Sequence, residues 1–365
     1  MVTSNPEAGP AVSIIVPARN EEACLAMCLQ SLQAQTGVSF EIIVVDDAST
    51  DRTREIAGSF PGVKVVDADS LPPGWSGKSN AMQSGARVAR REWLLFTDAD
   101  TLHLPGSLHR AIAEAKQHGA ALLSYSPEQE VHGFWEKSIM PVIFAELAAT
   151  YRPSEVSNPA LPAAAANGQY LLISRDAYDA VGGHAAIPSS LLEDVALARA
   201  VKASGRKMFF RFGGDAVRTR MYRSFAELKQ GWTKNLVLLF PSAVRLASLR
   251  LLEFVLIVGG AALAIDAGVK GKGRPGLISG GIVALLIVLF LKRIRRAHFS
   301  WDANVLALLG LPLFSYLLLR SRIFYRRGKV AWKGREYKVL TAAGGRQSSS
   351  LRNNRRDADP TSWST

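Results

Sequence analysis

Two short apolar runs in this chain stop abruptly in clustered aspartates. Glu41–Thr53 reads EIIVVDDASTDRT and Leu94–Thr101 reads LLFTDADT. In an open α/β sheet, ligands sit just past the carboxyl ends of the strands, so both acidic clusters arrive at one sheet edge. Carboxylates gathered this closely repel unless a positive charge lies among them. A divalent cation, with oxygen ligands and a phosphate completing its shell, is the common solution. A site for a nucleoside diphosphate is therefore the first expectation.

The surrounding pattern supports such a sheet. Strands are expected at Val12–Val16, Glu41–Asp46, Val63–Asp67, Trp93–Thr97 and Ala120–Tyr125. Helical patterns lie between them: to about Ala34, after a cap at Thr50 or Asp51, at Lys78–Arg90 and at Pro105–His118. Alternation of this kind implies a doubly wound, mainly parallel sheet with right-handed crossovers. It fades beyond Pro127. Gly133–Tyr151 reads as a helix, either in a core or lying in a membrane interface, and Arg152–Ala166 as a mobile loop. Gln169–Ser174 and Lys207–Phe212 are strand-like; Glu193–Ser204 and Phe225–Asn235 are helical.

The last third has a different composition. Three apolar runs, Ala247–Ile265, Gly276–Leu291 and Ala303–Leu319, follow one another in this 365-residue chain. At about 1.5 Å per residue they span roughly 24–28 Å, near the ~30 Å of a bilayer core. Arg250 and Glu253 interrupt the first run. The net charge of +13 is concentrated late, with Lys292, Arg293, Arg295 and Arg296 before the third run and Arg320, Arg322, Arg326, Arg327 and Lys329 after it. Interleaving with apolar spans points to anionic headgroups and the positive-inside bias rather than to nucleic acid. Both basic clusters are cytoplasmic if the first two runs form a hairpin and the third enters without crossing, bent at Gly310 and Pro312. The tail then lies on the same side as Asp98. The start, MVTSNPEAGP, carries no secretory signal pattern, which leaves the soluble part cytoplasmic on a multi-pass inner-membrane protein. Cys24 and Cys28, four apart on one helix, read as packing residues.

Four groups of residues carry chemistry. Asp98 and Asp100 alternate at a strand end, so both carboxylates can face one ion; a helix-capping pair is the plain alternative. Lys78, in GWSGKSNAM, can reach a phosphate from a glycine-bearing turn, although the Walker spacing is absent; a solvated lysine is the alternative. Glu193 and Asp194 open a helix, where the dipole stabilises acids, and either could be a general base. Trp232 and Lys234 lie just before the apolar runs. The indole is either a stacking platform for a sugar or base, or an anchor at the membrane interface, and the lysine can balance a diphosphate.

As an ordered set these residues resemble the family 2 glycosyltransferases, over about Val12 to Lys338. The matching stretches are Val16–Glu21, Val44–Asp51, Gly77–Lys78, Thr97–Asp100, Asn167–Gly168, Leu192–Asp194 and Gln230–Trp232. The resemblance implies the GT-A fold, a Rossmann-like and mainly parallel α/β sheet. It implies Mn²⁺ or Mg²⁺ on Asp98 and Asp100, and Asp194, with Glu193 beside it, as the catalytic acid pair. Donor contacts would come from Pro17, Arg19, Glu21, Asp46, Asp47, Lys78, Asp98, Asn167, Trp232 and Lys234. The donor is expected to be a nucleoside diphosphate sugar, with UDP as the nucleotide. Processive members carry Gln-x-x-Arg-Trp; here Gln230-Gly-Trp232 lacks the arginine and shortens the spacing. Trp332–Tyr337 is similar to a WxGRxY element of lipid-modifying relatives, among them ceramide glucosyltransferase-like, carotenoid and hopanoid-associated enzymes.

The combined expectation is an inverting, metal-dependent transfer of one hexose to a membrane lipid. A processive polysaccharide synthase and a non-catalytic membrane scaffold are the rivals. The chain divides into a disordered start (1–11), a GT-A domain (12–240), a membrane region (241–325), a basic cytoplasmic tail (326–343) and a disordered end (344–365).

Overall fold

A computed structural model describes residues 11–271, 273–332 and 335–338, with side chains up to residue 328. The ends expected to be disordered lie outside these residues, apart from Ala11. The first half alternates: β1 (Val12–Ala18), α1 (Leu25–Gln33), β2 (Phe40–Asp46), α2 (Thr53–Gly58), β3 (Val63–Asp67), α3 (Gly77–Val88) and β4 (Trp93–Phe96). These strands pair in parallel in the order β3-β2-β1-β4. Neighbouring residues of β1 face opposite layers, as a period of two requires. Ile14 packs with Leu25 and Leu29 of α1, and Ile15 with Ala81 and Met82 of α3. A Cβ on Gly85 of α3 would stand 2.5 Å from Ile15 Cγ2, so only glycine lets this helix dock.

The winding direction reverses at β1. β2 and β3 are added on one side of it and β4 on the other, which opens a crevice at the carboxyl ends. Ala18 is level with Asp46 and Ile15 with Phe96. Pro17–Arg19, Asp46–Asp47 and Asp98–Asp100 therefore emerge along one edge.

The chain continues through β5 (Thr101–His103), α4 (Ser107–His118), β6 (Leu122–Ser126), β7 (Glu128–Gln129), α5 (Phe134–Thr150), α6 (Pro153–Val156), β8 (Leu171–Ser174), α7 (Arg175–Ala180), α8 (Glu193–Ala203), β9 (Met208–Phe212), β10 (Val217–Thr219) and α9 (Phe225–Leu239). The sheet extends as β4-β8-β6-β9. β8 runs antiparallel to both neighbours, starting with Leu171 beside Phe96. That direction places the residues just before β8 at the same edge as Asp98. A small second sheet, β5-β10-β7, covers this region and was not expected.

Two sequence expectations change and one open alternative is settled. Arg152–Ala166 is pinned at both ends: it contains α6, Ala164–Ala166 are buried, and Lys202 Nζ donates to the carbonyls of Val156 and Ala163, while residues 158–162 are exposed. Gly133–Tyr151 is a core helix, with Ile139, Met140, Val142 and Ile143 buried in α5. The helix expected to end at Asn235 runs on to Leu239.

The remaining helices are α10 (Ala243–Val269), α11 (Gly273–Ile294) and α12 (Trp301–Arg326), all long and apolar enough to cross a membrane. They differ sharply in burial. In their most apolar windows 6% of α10, 17% of α11 and 50% of α12 is buried. α10 and α11 form a hairpin exposing Leu252, Val255, Leu263, Ile265 and Leu277. α12 lies against α5, α9 and α10. A Cβ on Gly310 would meet the Ser138 carbonyl oxygen at 1.9 Å, so glycine permits this crossing. The bend expected at Gly310 and Pro312 does not break the helix. Arg250 and Glu253 are part of a network with Glu146 of α5 and Arg293 of α11. Arg250 Nε is 2.8 Å from Glu146 Oε1, and Arg293 Nη2 is 2.6 Å from Glu253 Oε2. These charges join the root of the hairpin to the soluble domain. Beyond α12, β11 (Lys329–Trp332) and β12 (Arg335–Lys338) pair antiparallel, with β11 beside α9 and α12.

Candidate active site

Eight residues named from the sequence line one cleft of about 210 Å³ at the carboxyl edge: Pro17, Arg19, Glu21, Asp47, Lys78, Asp98, Asp100 and Lys234. Backbone geometry brings them together. Arg19 Nη1 donates to the Asp47 carbonyl at 2.6 Å, tying the end of β1 to the end of β2. Ala48 beside it is left-handed (φ 55°), a strained conformation for a residue with a Cβ. Asp46 turns away from the cleft lining and braces its own loop: Oδ1 accepts the Ser49 N–H at 3.2 Å and Oδ2 faces Arg54 at 3.6 Å.

Lys78, in the first turn of α3, holds the centre. Its Nζ is 2.7 Å from Asp98 Oδ1 and 2.9 Å from Glu193 Oε1. Gly168 sits against the lysine and the Glu193–Asp194 pair. A Cβ there would stand 3.0 Å from Lys78 Nζ, 3.5 Å from Glu193 Oε1 and 3.6 Å from Asp194 Oδ2. Burial works against the lysine's charge, but Asp98, Glu193 and Asp194 hold its pKa above the usual range. Glu193 is pulled down: burial would raise it, and Lys78 with Lys234 more than offsets that. Asp194 moves the other way. Burial and the neighbouring Glu193 charge raise it to about 6, although its oxygens accept from the Val195 N–H at 2.8 Å and the Gly168 N–H at 2.9 Å. Two adjacent carboxylates thus differ because only one is paired with the lysine, a pattern that separates roles.

A buried polar scaffold supports the Asp98–Asp100 turn. Thr97 Oγ1 donates to the Gln169 carbonyl at 2.8 Å and lies 3.1 Å from His103 Nε2. The hydroxyl proton is committed to the carbonyl, so His103 donates from Nε2. Burial keeps that ring neutral, with a pKa of about 3. Thr219 Oγ1 donates to the Asp100 carbonyl at 3.2 Å and accepts from Gln169 Nε2 at 3.2 Å. Beneath, Cys28 Sγ is 3.7 Å from the Asp98 carbonyl. Burial and the Asp100 and Asp98 charges push its thiol pKa well up, consistent with a packing role.

Five residues named from the sequence are not part of the cleft lining: Asp46, which braces its loop, Glu193 and Asp194, which stand behind Lys78, and Trp232 and Asn167. Trp232 is 2% exposed, with Nε1 3.4 Å from Met140 Sδ and Phe144 and Tyr222 edge-on to its ring. It is neither a stacking platform nor an interfacial anchor. On α9 it shares the core face with Leu228 and Leu236, four residues either side, whereas Gly231, Lys234 and Asn235 line the cleft. Asn167 closes its own turn, with Oδ1 accepting the Gln169 N–H at 3.0 Å. The sequence reading missed Gln169, Met221, Tyr222 and Asn235, which also line the cleft. Helical periodicity alone could have placed Asn235 on the face of Lys234 and Gly231.

Among the described residues no cluster of three or more His, Cys, Asp or Glu could hold an ion unaided. Asp98 and Asp100 supply hard oxygen ligands beside a lysine suited to phosphate. That donor set fits a cation that shares its shell with a diphosphate, as Mg²⁺ does in such sites.

A reversed strand order with acidic strand ends at the crevice is the arrangement of a GT-A-type fold. Residues 13–182 match the model described as glycosyl transferase family 2. The 4,4'-diaponeurosporenoate glycosyltransferase of Staphylococcus aureus (strain MRSA252) is 29% identical over 343 residues, covering 90% of this chain and 88% of that protein. Its counterpart in strain USA300 is 29% identical over 348 residues, with the same coverage, 90% and 88%. Among solved structures, the mannosyltransferase PcManGT from Pyrobaculum calidifontis, in complex with GDP-Man and Mn²⁺, superposes with a TM-score of 0.50. It is 17% identical and covers 87% of this chain and 89% of that one. That likeness concerns the fold.

Proposed function

We propose that this enzyme transfers a single hexose, with inversion, from a nucleoside diphosphate sugar to a membrane lipid. The observation that carries the reading is the split between Glu193, held ionised by Lys78, and Asp194, raised beside it. With a hydroxyl acceptor, Asp194 accepts the proton while that oxygen attacks the anomeric carbon from the face opposite the diphosphate; a carboxylate acceptor is already ionised and attacks without giving up a proton. Lys78 and Lys234 balance the charge that develops on the leaving group. Asp98 and Asp100 hold Mn²⁺ or Mg²⁺, which neutralises diphosphate charge when bound. Pro17, Arg19, Glu21 and Asp47 line the nucleotide side, and UDP is the nucleotide we favour.

The lipid reading draws on two supports. The Staphylococcus relatives are named for 4,4'-diaponeurosporenoate, which makes a carotenoid-type acceptor the first choice. The α10–α11 hairpin is apolar and largely exposed, which suits insertion in the bilayer with residues 12–240 in the cytoplasm. In this arrangement α12 belongs with the soluble domain, and the tail returns to its side.

The test is incubation of the purified protein with radiolabelled UDP-glucose or GDP-mannose, Mn²⁺ and extracted membrane lipids, followed by chromatography. One labelled lipid carrying one hexose is expected. A ladder of products would replace this reading with polymer synthesis, and no label in any fraction would remove it.

A further inference from the structure

Gln169 is 4% exposed, lines the cleft, and its Oε1 has no hydrogen-bond partner. The orientation of its amide follows from its neighbour. Thr219 has one hydroxyl proton, and the Asp100 carbonyl takes it at 3.2 Å. Thr219 can then only accept from Gln169, so the atom 3.2 Å away is the NH₂ nitrogen. Oε1 is left as a fixed acceptor with nothing to accept. A buried acceptor without a donor is unfavourable, so such an atom on a residue of the cleft wall points to a ligand O–H or N–H.

Its place narrows the ligand. Two hydrogen bonds away along the scaffold is Asp100, through Thr219. One residue away is Gly168, whose N–H holds Asp194 at 2.9 Å. Gln169 is thus anchored on one side to the acidic turn and on the other to the proposed base. In a single displacement the transferred sugar ring lies between the diphosphate and the base. The ring is dense in hydroxyl donors, whereas a diphosphate offers only acceptors; a water on the cation is the other candidate donor, and the deoxy-sugar series below separates the two.

We propose that Gln169 Oε1 accepts a hydrogen bond from one ring hydroxyl of the donor sugar and so contributes to sugar specificity. This rests on the reading of the cleft as a nucleotide-sugar site.

The experiment uses the full chain in detergent with Mn²⁺. Hydrolysis of UDP-glucose, UDP-galactose, UDP-N-acetylglucosamine and GDP-mannose selects the preferred donor. Monodeoxy versions of that donor are then compared in the wild type. One ring position should carry a loss in kcat/KM of about 10-fold or more, because its absence strands the buried acceptor. Gln169→Met matches the length without offering an oxygen. It should bind the bare nucleoside diphosphate within about twofold of wild type, use the intact sugar about 10–100-fold less well, and no longer distinguish that one deoxy donor from its parent.

Equal tolerance of every deoxy donor by the wild type would overturn the proposal without any variant. So would an equal loss of bare nucleotide and nucleotide sugar in Gln169→Met, which would leave Gln169 only a positioning role toward Asp100. Turnover of none of the four donors would sink the parent reading and this one with it, a result distinct from either of those.

Discussion

Lys78 Nζ and Asp98 Oδ1 stand 2.7 Å apart, and the same nitrogen reaches Glu193 on α8 at 2.9 Å. One lysine therefore links the first turn of α3, the turn after β4 and the start of α8. A diphosphate entering the cleft competes with two carboxylates for this cation. Lys78→Ala removes the contact and leaves those carboxylates facing each other without a counter-charge. We expect nucleoside diphosphate affinity, measured by calorimetry with Mn²⁺, to fall about tenfold or more, as loss of a charge-assisted bond of roughly 1.5–3 kcal/mol implies. Unchanged affinity would return Lys78 to a purely structural role.

The raised Asp194 predicts a pH profile. As the base it must be ionised, so the rate should rise with pH through about 6 and level off above it. Asp194→Asn should lower kcat about 10²–10⁴-fold with a hydroxyl acceptor and abolish that limb. A carboxyl acceptor, already ionised, should show a much smaller loss. The stability sign is opposite to that of a paired carboxylate. The folded protein holds the proton more tightly than the unfolded chain, so this group's contribution is fully present below about 4 and is lost as pH rises through about 6. A profile with no limb near 6 in the wild type would move the base elsewhere.

The cation expected at Asp98 and Asp100 gives a binding prediction separate from catalysis. UDP should bind wild type more tightly with Mn²⁺ than after chelation by EDTA, and Asp100→Ala should bind it equally weakly under both conditions. Transfer should cease in the variant. Metal-independent UDP affinity in the wild type, with full transfer after exhaustive chelation, would end the metal assignment.

Topology can be read with single cysteines, because both native thiols are buried. Lys270, at the turn between α10 and α11, should be labelled in intact cells by an impermeant maleimide once changed to cysteine. Tyr337→Cys, on β12 of the hairpin whose β11 lies near α9, should not. Labelling of Tyr337→Cys from outside would favour three full crossings over a hairpin with α12 held by the soluble domain.

Much of the catalytic half was legible in the chain itself. β3 was expected at Val63–Asp67 and lies there, and the aspartates at the ends of β2 and β4 do reach one edge. Strand endings are local: apolar residues give way to acids, and a parallel sheet with a reversed strand order does the rest. What failed was the assignment of faces. Trp232 has an aromatic ring suited to sugar, but on α9 it shares the face of Leu228 and Leu236, and that face meets Met140 of α5. Which side of a helix meets the core depends on a partner distant in sequence. The same holds for α10, α11 and α12, which read alike in composition until α5 and α9 cover only the last. It holds again for Glu193 and Asp194, adjacent and chemically similar, whose proton affinities separate because both are buried and Lys78, more than a hundred residues earlier, pairs with Glu193 alone. Local residue pattern determined the strands, the acidic edge and the apolar runs. Long-range packing decided which carboxylate holds its proton to higher pH, which helix is exposed and which side chains face the cleft, because burial and ion pairing arise only where distant segments meet.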